Sequence, residues 1–264
     1  MAIGVGISGP RGGGGGTPSL ADPSSFADAY KLFRSDKGFT MVGSQIERWD
    51  CQGTNGGQAL ASSSTYRQSI LANLGKYDFQ DMWISQGANF YQTGVTAGVQ
   101  SNVVLQTVYQ TYPKHNPMVQ YMTWGDQNAT DYIMIENGIS STSRIKVTIR
   151  RSGVTSYNMY SFTDFDSTND QRVLVKLTIR FDGTQATAAD RLKCYSGKTL
   201  LTPVATSGTH PSDVDNGYDR HSVLSSHTSR LSWGTVGLQA VWLRDLSVAE
   251  IEENIDWIDQ IWNI

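Results

Sequence analysis

The sequence predicts an all-β domain closed by one C-terminal helix, and three observations lead to this prediction. Strand-like segments recur about every ten residues between Phe39 and Leu243, with Gly, Asn, Asp and Pro between them. The composition, with 26 glycines and 17% charged residues, suits many tight turns and strands with two different faces. The final segment, residues 247–264, is the one stretch with the apolar spacing of an amphipathic helix. We therefore expect a sandwich or barrel of short strands.

Individual strands follow from runs of β-favouring residues bounded by turn residues. The predicted strands are 46–49, 57–61, 82–84, 87–91, 103–112, 119–124, 132–136, 144–151, 158–163, 172–181, 192–195 and 234–243. The segment from Ser24 to Phe33 follows Asp22-Pro23 and fits either a short helix or an extended strand. No repeat of fixed period is present, which argues against solenoids and propellers.

The last strand and the helix after it can be predicted residue by residue. Four apolar residues at every second position are expected on one face of the strand: Val236, Leu238, Ala240 and Trp242. Ser247 is the expected N-cap of the helix, and Glu250 is expected to reach back to it. The helix face that should dock on the domain consists of Val248, Ile251, Ile255, Ile258 and Trp262. The acidic residues of the helix predict a solvated face: Glu250, Glu252, Glu253, Asp256 and Asp259.

The chain divides into two regions, an arm over residues 1–24 and one domain over residues 25–264. The arm contains five consecutive glycines and cannot support a core of its own. One interpretation is a disordered tail. The other is an arm that orders against a neighbouring subunit, with Ile3, Val5 and Ile7 as a strand added to the edge of the partner's sheet.

Charge and hydropathy narrow the range of partners. The formal net charge is -3, so the chain has no overall basic character and neither nucleic acid nor an anionic membrane is an expected partner. No window approaches the roughly 18 apolar residues of a membrane span, so membrane insertion is not expected. The N-terminus lacks the basic flank and long apolar run of a secretory signal.

The two cysteines, Cys51 and Cys194, are far apart and have no CxxC or CxxH context. Thiolate binding of a metal is therefore not expected. Two buried free thiols are the simpler interpretation, and a disulfide between them is the alternative.

Local motifs of catalysis are absent from the sequence. The four histidines, His115, His210, His221 and His227, lie in loop-like contexts without an H-E-x-x-H motif, and no G-x-S-x-G elbow is present. Neither zinc hydrolysis nor a serine triad has local support, and we expect a protein that is not an enzyme.

One loop has the composition of a cation site. Residues 210–219 place Asp213, Asp215 and Asp219 around an Asn-Gly turn, an oxygen-rich arrangement of the kind that binds calcium. The loop lacks the distal bidentate Glu of an EF-hand. A polar turn whose Asp side chains cap its own backbone is the alternative interpretation.

A second loop has the composition of a sugar site. A pyranose face stacks on an aromatic ring while its hydroxyls bond to amide and carboxylate groups. Trp124, Asp126 and Asn128 supply these three kinds of group near one strand end. Burial of Trp124 in the core is the alternative interpretation.

Three segments together resemble a known superfamily. Residues 46–62, 173–198 and 237–251 are similar, in order, to the W-x-D segment, the strand hairpin ending in Asp-Gly, and the closing "L-s-x-x-E-i" segment of concanavalin A-like lectins and glucanases. The resemblance is strongest to the laminin-G-like jelly rolls of bacteriophage structural proteins. It implies two curved antiparallel sheets packed face to face, with hairpin turns at Asp182-Gly183 and Ser196-Gly197 and the helix covering an exposed end.

The resemblance also leads to functional expectations. Glucanases of this superfamily carry the pattern E-x-D-x-x-E on one strand, and this chain lacks it, so glycosidase activity is not expected. A virion structural protein is the first hypothesis: assembled in the host cytoplasm, attached by its arm to other virion proteins, displayed on the particle surface and homo-oligomeric. An adhesin that binds host surface polysaccharide through the Trp124 loop, with calcium at the Asp213 loop, is the alternative.

Overall fold

The structure is a computed structural model of the chain. It describes residues 20–35, 37–43, 45–61, 68–71, 81–83, 90–92, 97–111, 120–125, 131–137, 144–162, 173–216, 221–223, 225–226, 230–231, 234–262 and 264. The predicted arm residues Ile3, Val5 and Ile7 lie outside the described residues.

The described residues form short strands and one α-helix, as the sequence predicts, together with two 3₁₀ helices. The strands of the first half are β1 (Lys31–Arg34), β2 (Phe39–Val42), β3 (Gln45–Asp50), β4 (Gln58–Ala61), β5 (Gln68–Leu71), β6 (Asp81–Trp83), β7 (Phe90–Gln92), β8 (Gly98–Gln100), β9 (Asn102–Thr111), β10 (Gln120–Gly125) and β11 (Tyr132–Asn137). Those of the second half are β12 (Arg144–Arg151), β13 (Val154–Ser161), β14 (Val173–Asp182), β15 (Leu192–Ser196), β16 (Thr199–Leu200), β17 (Pro203–Ser207), β18 (Val214–Asn216), β19 (His221–Val223), β20 (Ser225–Ser226), β21 (Arg230–Leu231) and β22 (Gly234–Trp242). The helices are the 3₁₀ segments Ser24–Asp28 and Ala188–Arg191 and the α-helix α1 (Val248–Trp262).

Two antiparallel sheets build the domain. The smaller sheet has six strands in the order β1-β22-β9-β14-β15-β16. The larger sheet has twelve strands in the order β17-β13-β12-β11-β10-β19-β7-β4-β3-β5-β6, with β2 paired to β3. Two further two-stranded ribbons pair β18 with β8 and β20 with β21. This arrangement confirms the predicted all-β sandwich.

The main core lies between the two sheets. Side chains along each strand point alternately to the two faces of its sheet, so every second residue faces inward. The buried inward residues include Val103, Leu105, Tyr109, Ile133, Ile135, Val147, Ile149, Leu177, Ile179 and Phe181. Val214 of β18 joins this cluster, so the β8–β18 ribbon is anchored to the sandwich.

A second core lies on the outer face of the smaller sheet, where α1 docks. The buried residues on the sheet side are Val104, Val108, Tyr195, Leu238, Ala240 and Trp242, and those on the helix side are Ile251, Ile255, Trp257, Ile258 and Trp262. The helix therefore covers a sheet face, whereas the sequence predicted that it covers an exposed end. The reason is that β9 and β22 carry apolar side chains on both faces, which must both be buried. Within the described residues, no helix is long and apolar enough to cross a bilayer.

The prediction that β22 presents four apolar residues on one face is wrong at one position. Leu238, Ala240 and Trp242 face the helix, but Val236 belongs to the main core. The cause is a register irregularity in the pairing of β22 with β9 between Val236 and Leu238. A bulge of this kind shifts the alternation by one residue and sends Val236 to the opposite face.

The predicted helix start is confirmed. The Glu250 carboxylate accepts hydrogen bonds from the Ser247 backbone N–H at 2.8 Å and its hydroxyl at 2.9 Å, and the Glu250 N–H donates to the Ser247 hydroxyl at 3.2 Å. Arg244, 2.7 Å from this carboxylate, is the main reason that the pKa of Glu250 is lowered to about 2. Val248 differs from the prediction because it is 48% exposed on the first turn.

The segment before β1 contains both of the conformations that the sequence allowed. A 3₁₀ helix over Ser24–Asp28 precedes the strand Lys31–Arg34. Phe26 packs under α1, where its ring centroid lies 5.1 Å from that of Trp257. The N-terminal end of the described domain is therefore part of the second core.

The two predicted hairpin turns have different outcomes. A hairpin is confirmed at Ser196-Gly197, with its turn one residue later than predicted: Ser196 pairs with Thr199, and Gly197-Lys198 connect β15 to β16 with Gly197 at a φ of 54°. Asp182-Gly183 is wrong as a tight hairpin. Residues 183–191 connect β14 to β15 and contain the second 3₁₀ helix, while Asp182 caps the Thr184 N–H at 3.0 Å.

Both cysteines are free thiols, as the simpler interpretation predicts, but only one of them is buried. Cys194 is buried in the main core, and Cys51 is half-buried. Burial raises the pKa of the Cys194 thiol, so this side chain behaves as a small neutral hydrophobe.

Candidate functional site

The predicted sugar loop is only partly described. Trp124 lies in the main core with no exposed surface, next to Ile133, its pairing partner across the strands. Its ring is therefore not available as a stacking platform, and the core interpretation is the one that the structure shows. The physical reason is that Trp124 falls on the inward side of the β10 alternation. Asp126 and Asn128 lie outside the described residues.

An arginine from the end of β12 lies against the predicted calcium loop. Arg151 donates from Nε to Asp213 Oδ1 at 2.6 Å, and its Nη1 lies 3.4 Å from both Asp215 Oδ2 and Asp131 Oδ2. The guanidinium thus lies among the carboxylates and ties β18 to the end of β12. Asp219 lies outside the described residues. Among the residues that the structure describes, no group of three His, Cys, Asp or Glu is placed to hold a metal, so calcium stays a prediction.

A buried polar network surrounds His210, one of the four histidines. Its Nδ1 lies 2.9 Å from Ser156 Oγ, and its Nε2 lies 3.1 Å from Asn158 Oδ1. The Asn158 amide N–H donates to the Tyr160 hydroxyl at 3.3 Å, which turns the amide oxygen toward the imidazole. Nε2 therefore carries the proton, and Nδ1 accepts a hydrogen bond from Ser156.

This Ser–His–Asn arrangement has the order of a nucleophile, a base and an orienting group, but it faces the main core. Ser156 is 1% exposed, and its pairing partner Ile149 is a core residue. A substrate carbonyl cannot reach a hydroxyl between two packed sheets. We therefore assign the network to structure: it attaches the segment before β18 to β13.

The outer face of the larger sheet carries a different set of side chains. Tyr157 pairs with Thr148, Thr148 with Met134, and Met134 with Thr123. Residues paired directly across strands share one face, and the neighbours of this row along each strand point into the core. We call Tyr157, Thr148, Met134 and Thr123 the transverse row, because it crosses β13, β12, β11 and β10.

An ion pair lies beside the aromatic end of this row. Lys146 and Glu136 are paired across β12 and β11 on the same outer face, and Lys146 Nζ lies 2.6 Å from Glu136 Oε1. The same ammonium group lies 4.9 Å from the centroid of the Tyr157 ring. Tyr157 and Lys146 are half-buried, and Glu136 is buried. The outer face thus combines an aromatic ring, a cation and a carboxylate that rigid strands hold in place.

Sequence reasoning missed this face for a specific reason. The alternation of Lys146, Thr148 and Arg150 with buried Ile and Val residues was a usable signal of an outward polar stripe. The predicted strand at 158–163, however, excluded Tyr157. The structure starts β13 at Val154, because Ser152 and Gly153 form a two-residue turn with φ angles of 50° and 80°.

Comparisons with known proteins bear on the fold. No protein-family model and no curated protein sequence matches the chain. Solved structures do match. The ligand-binding domain of botulinum neurotoxin serotype D in complex with N-acetylneuraminic acid superposes with a TM-score of 0.54 at 9% identity, over 87% of this chain and 51% of that chain.

Two further solved structures extend this likeness. The botulinum neurotoxin serotype D binding domain gives a TM-score of 0.52 at 10% identity, over 88% of this chain and 51% of that chain. The sialidase module CBM40 of Ruminococcus gnavus bound to α2,3-sialyllactose gives 0.46 at 12% identity, over 66% of this chain and 95% of that chain. The present chain spans about half the length of the toxin domains. The toxin domains support the β-sandwich fold.

Proposed function

We propose that this protein is a carbohydrate-binding domain without catalytic activity and that it binds sugar on the outer face of its larger sheet. The observation that carries the proposal is the placement of the half-buried Tyr157 ring beside the Lys146–Glu136 ion pair. On this face, paired strands hold an aromatic ring, a hydrogen-bond donor and the carboxylate that orients the donor.

The chemistry of a pyranose matches the Tyr157 ring and the Lys146 ammonium. One face of the sugar ring carries C–H bonds and packs on an aromatic ring, while the hydroxyls at its edge both donate and accept hydrogen bonds. The Lys146 ammonium can donate to a sugar oxygen, and the buried Glu136 carboxylate holds that ammonium in place. Because the ion pair is held by paired strands, little side-chain freedom is lost when a sugar binds.

The structural neighbours are consistent with the proposal but do not carry it. The domain in complex with N-acetylneuraminic acid and the CBM40 bound to sialyllactose are sugar-binding proteins, so sialylated glycans belong in the first screen. At 9% and 12% identity, these likenesses bear on the architecture, and the site argument rests on Tyr157, Lys146 and Glu136 alone.

The proposal predicts that two substitutions weaken glycan binding. We expect Tyr157→Ala and Lys146→Met each to weaken binding at least about tenfold, which is about 1.4 kcal/mol. The measurement is a glycan array with the full-length chain, followed by titration calorimetry on the glycans that bind. Wild-type affinity for the same glycans in both variants would remove the outer face as the binding site.

A matched control is available on the other side of the molecule. Lys176 of β14 lies 2.6 Å from Asp259 of α1, the same distance as in the Lys146–Glu136 pair. Lys176→Met therefore deletes an ion pair of the same length at the outer face of the smaller sheet, where the carboxylate is 34% exposed against 4% for Glu136. We expect this variant to bind glycan as the wild type does, whereas loss of binding in both lysine variants would indicate a general effect on folding.

Attachment to a virion stays a prediction from the sequence, with the arm of residues 1–24 as the anchor and a homo-oligomer as the displayed form. Neither the described residues nor the comparisons bear on it. We expect the full-length chain, but not a variant lacking residues 1–24, to sediment with particles of the source that lack this protein. If neither form sediments with the particles, the virion hypothesis is abandoned and glycan binding alone remains.

A further inference from the structure

A stripe of cationic side chains follows β12 on the outer face of the larger sheet. Arg144, Lys146 and Arg150 share every second position of the strand with Thr148, so they lie on the face that also carries Tyr157. All three cations are half-buried, so solvent reaches them. At a rise of about 3.3 Å per residue, the stripe is about 20 Å long.

The stripe carries positive charge that the described residues do not compensate. Lys146 is paired with the buried Glu136. Among the residues that the structure describes, Arg144 and Arg150 have no carboxylate partner, and the Arg150 guanidinium makes one hydrogen bond, from Nε to the Gly153 carbonyl at 3.4 Å. Other arginines of the described chain do have such partners, as in the pairs Arg34–Asp22, Arg180–Asp245 and Arg244–Asp28. Two guanidinium groups are therefore available to an anion, in a chain whose formal net charge is -3.

The neighbouring strand adds hydroxyls and a ring to this face, and no charge. The outward residues of β13 are all uncharged. Thr155 and Ser161 are exposed and lie opposite Arg150 and Arg144 by strand pairing. The Tyr157 ring lies between these two ends. Each end of the face therefore offers a guanidinium and a hydroxyl, with an aromatic surface between them.

The accessible part of this face ends at β12. Met134 and Glu136 of β11 are 4% and 3% exposed, and Thr123 of β10 is 1% exposed. On the side of β13, by contrast, Tyr157 is half-buried and Ser207 of the edge strand β17 is exposed. A ligand therefore lies along β12 and β13 and does not cross the sheet.

We infer that this face binds an acidic polysaccharide that lies along β12 and β13, with acidic groups at Arg144 and Arg150 and a sugar ring between them on Tyr157. The inference rests on the proposed function and names the class of sugar. A guanidinium is always charged and binds an oxyanion such as a carboxylate or a sulfate through two parallel N–H donors. Because the two arginines are about 20 Å apart along the strand, a single acidic sugar reaches only one of them.

The first test compares acidic and neutral oligosaccharides of equal length. The probes are hexasaccharides of galacturonic acid, of heparin and of cellulose, titrated into the full-length chain at low salt. We expect at least one acidic probe to bind about tenfold tighter than the neutral probe, because hydrogen bonds to charged groups are the stronger ones. We expect about 0.5 M NaCl to remove most of this difference, since salt screens exposed charges. The tighter acidic probe identifies a carboxylate or a sulfate as the group that is bound.

The second test removes the charges one at a time. We expect Arg144→Gln and Arg150→Gln each to weaken binding of the acidic probe about fivefold to tenfold and to leave binding of the neutral probe unchanged. Lys193→Gln is the matched control. Lys193 of β15 is also a half-buried strand cation without a carboxylate partner among the described residues, but it belongs to the smaller sheet. We expect this variant to bind the acidic probe as the wild type does.

The outcomes separate this inference from the proposed function. If Tyr157→Ala weakens binding but the arginine variants bind the acidic probe normally, or if the neutral probe binds as tightly, the inference is wrong while the proposed function stands. An equal loss in Lys193→Gln would indicate attraction by overall charge and would also overturn the inference. Displacement of the acidic probe by a single-stranded oligonucleotide would assign the stripe to nucleic acid instead. If no probe binds the wild type, both the inference and the proposed function are overturned.

Discussion

Replacing Trp242 by alanine is expected to lower the free energy of unfolding by about 3 to 5 kcal/mol, the usual cost of deleting a large aromatic core side chain. The indole is fully buried between β22 and α1. Its Nε1 donates to the Ser25 carbonyl at 2.7 Å, and its ring centroid lies 6.1 Å from that of Phe26. One side chain therefore joins the last strand, the terminal helix and the first described segment.

The measurement is unfolding in urea, monitored by far-ultraviolet circular dichroism because this signal does not depend on tryptophan fluorescence. Val248→Ala is the matched control, because Val248 is an apolar residue of the same helix that is exposed. We expect the free energy of unfolding of this variant to stay within about 0.5 kcal/mol of the wild-type value, as is usual for surface substitutions. A loss below about 1 kcal/mol for Trp242→Ala would show that the helix does not depend on this contact.

Acidification below pH 6.5 is expected to destabilise the protein through His210. Burial is the main cause that lowers the pKa of His210 below its usual 6.5, and the charge of Arg191 adds to it. The unfolded chain therefore takes up a proton at a higher pH than the folded chain does. The contribution of neutral His210 to the free energy of unfolding is fully present above about pH 6.5. Below this pH it falls by up to about 1.4 kcal/mol per pH unit until the pKa of His210 in the folded protein is reached.

Other groups either titrate outside this pH range, or their effect is removed by comparing the wild type with a His210 variant. Tyr160 stays neutral because burial raises its pKa, and Glu250, with its pKa lowered to about 2, titrates at lower pH. Urea unfolding at pH 7.5, 6.5, 5.5 and 5.0 is compared between the wild type and His210→Gln. We expect the variant to be less stable at pH 7.5 and to lose less stability on acidification. If the free energy of unfolding changed with pH in the same way in both proteins, His210 would be excluded as the source of the pH dependence.

Parts of the fold that depend on local chemistry could be predicted well. The capping pair Ser247 and Glu250 was predicted because a capping box involves residues only three positions apart. The strands β12 and β14 were predicted within one residue because their alternation and turn boundaries lie within a single segment. The β22 alternation failed at Val236, since the bulge depends on how β22 pairs with β9.

The candidate site was less predictable because its members come from different strands. Tyr157, Lys146 and Glu136 are separated in the chain, and only the pairing of β11, β12 and β13 brings them together. The sequence drew attention instead to Trp124, whose composition context suited a sugar site. Its burial follows from the direction of the β10 alternation relative to the second sheet, which no local pattern specifies.

Composition, turn residues and apolar periodicity by themselves determined an all-β chain with one amphipathic C-terminal helix, because backbone conformation and side-chain period are properties of short segments. Tertiary structure alone decided which face of each strand meets the core, that Arg151 lies among the carboxylates of the predicted calcium loop, and that two threonine hydroxyls are buried side by side with Met134. The physical reason is that burial and pairing are set by contacts between residues distant in sequence, and a shift of one residue in register exchanges the two faces of a strand.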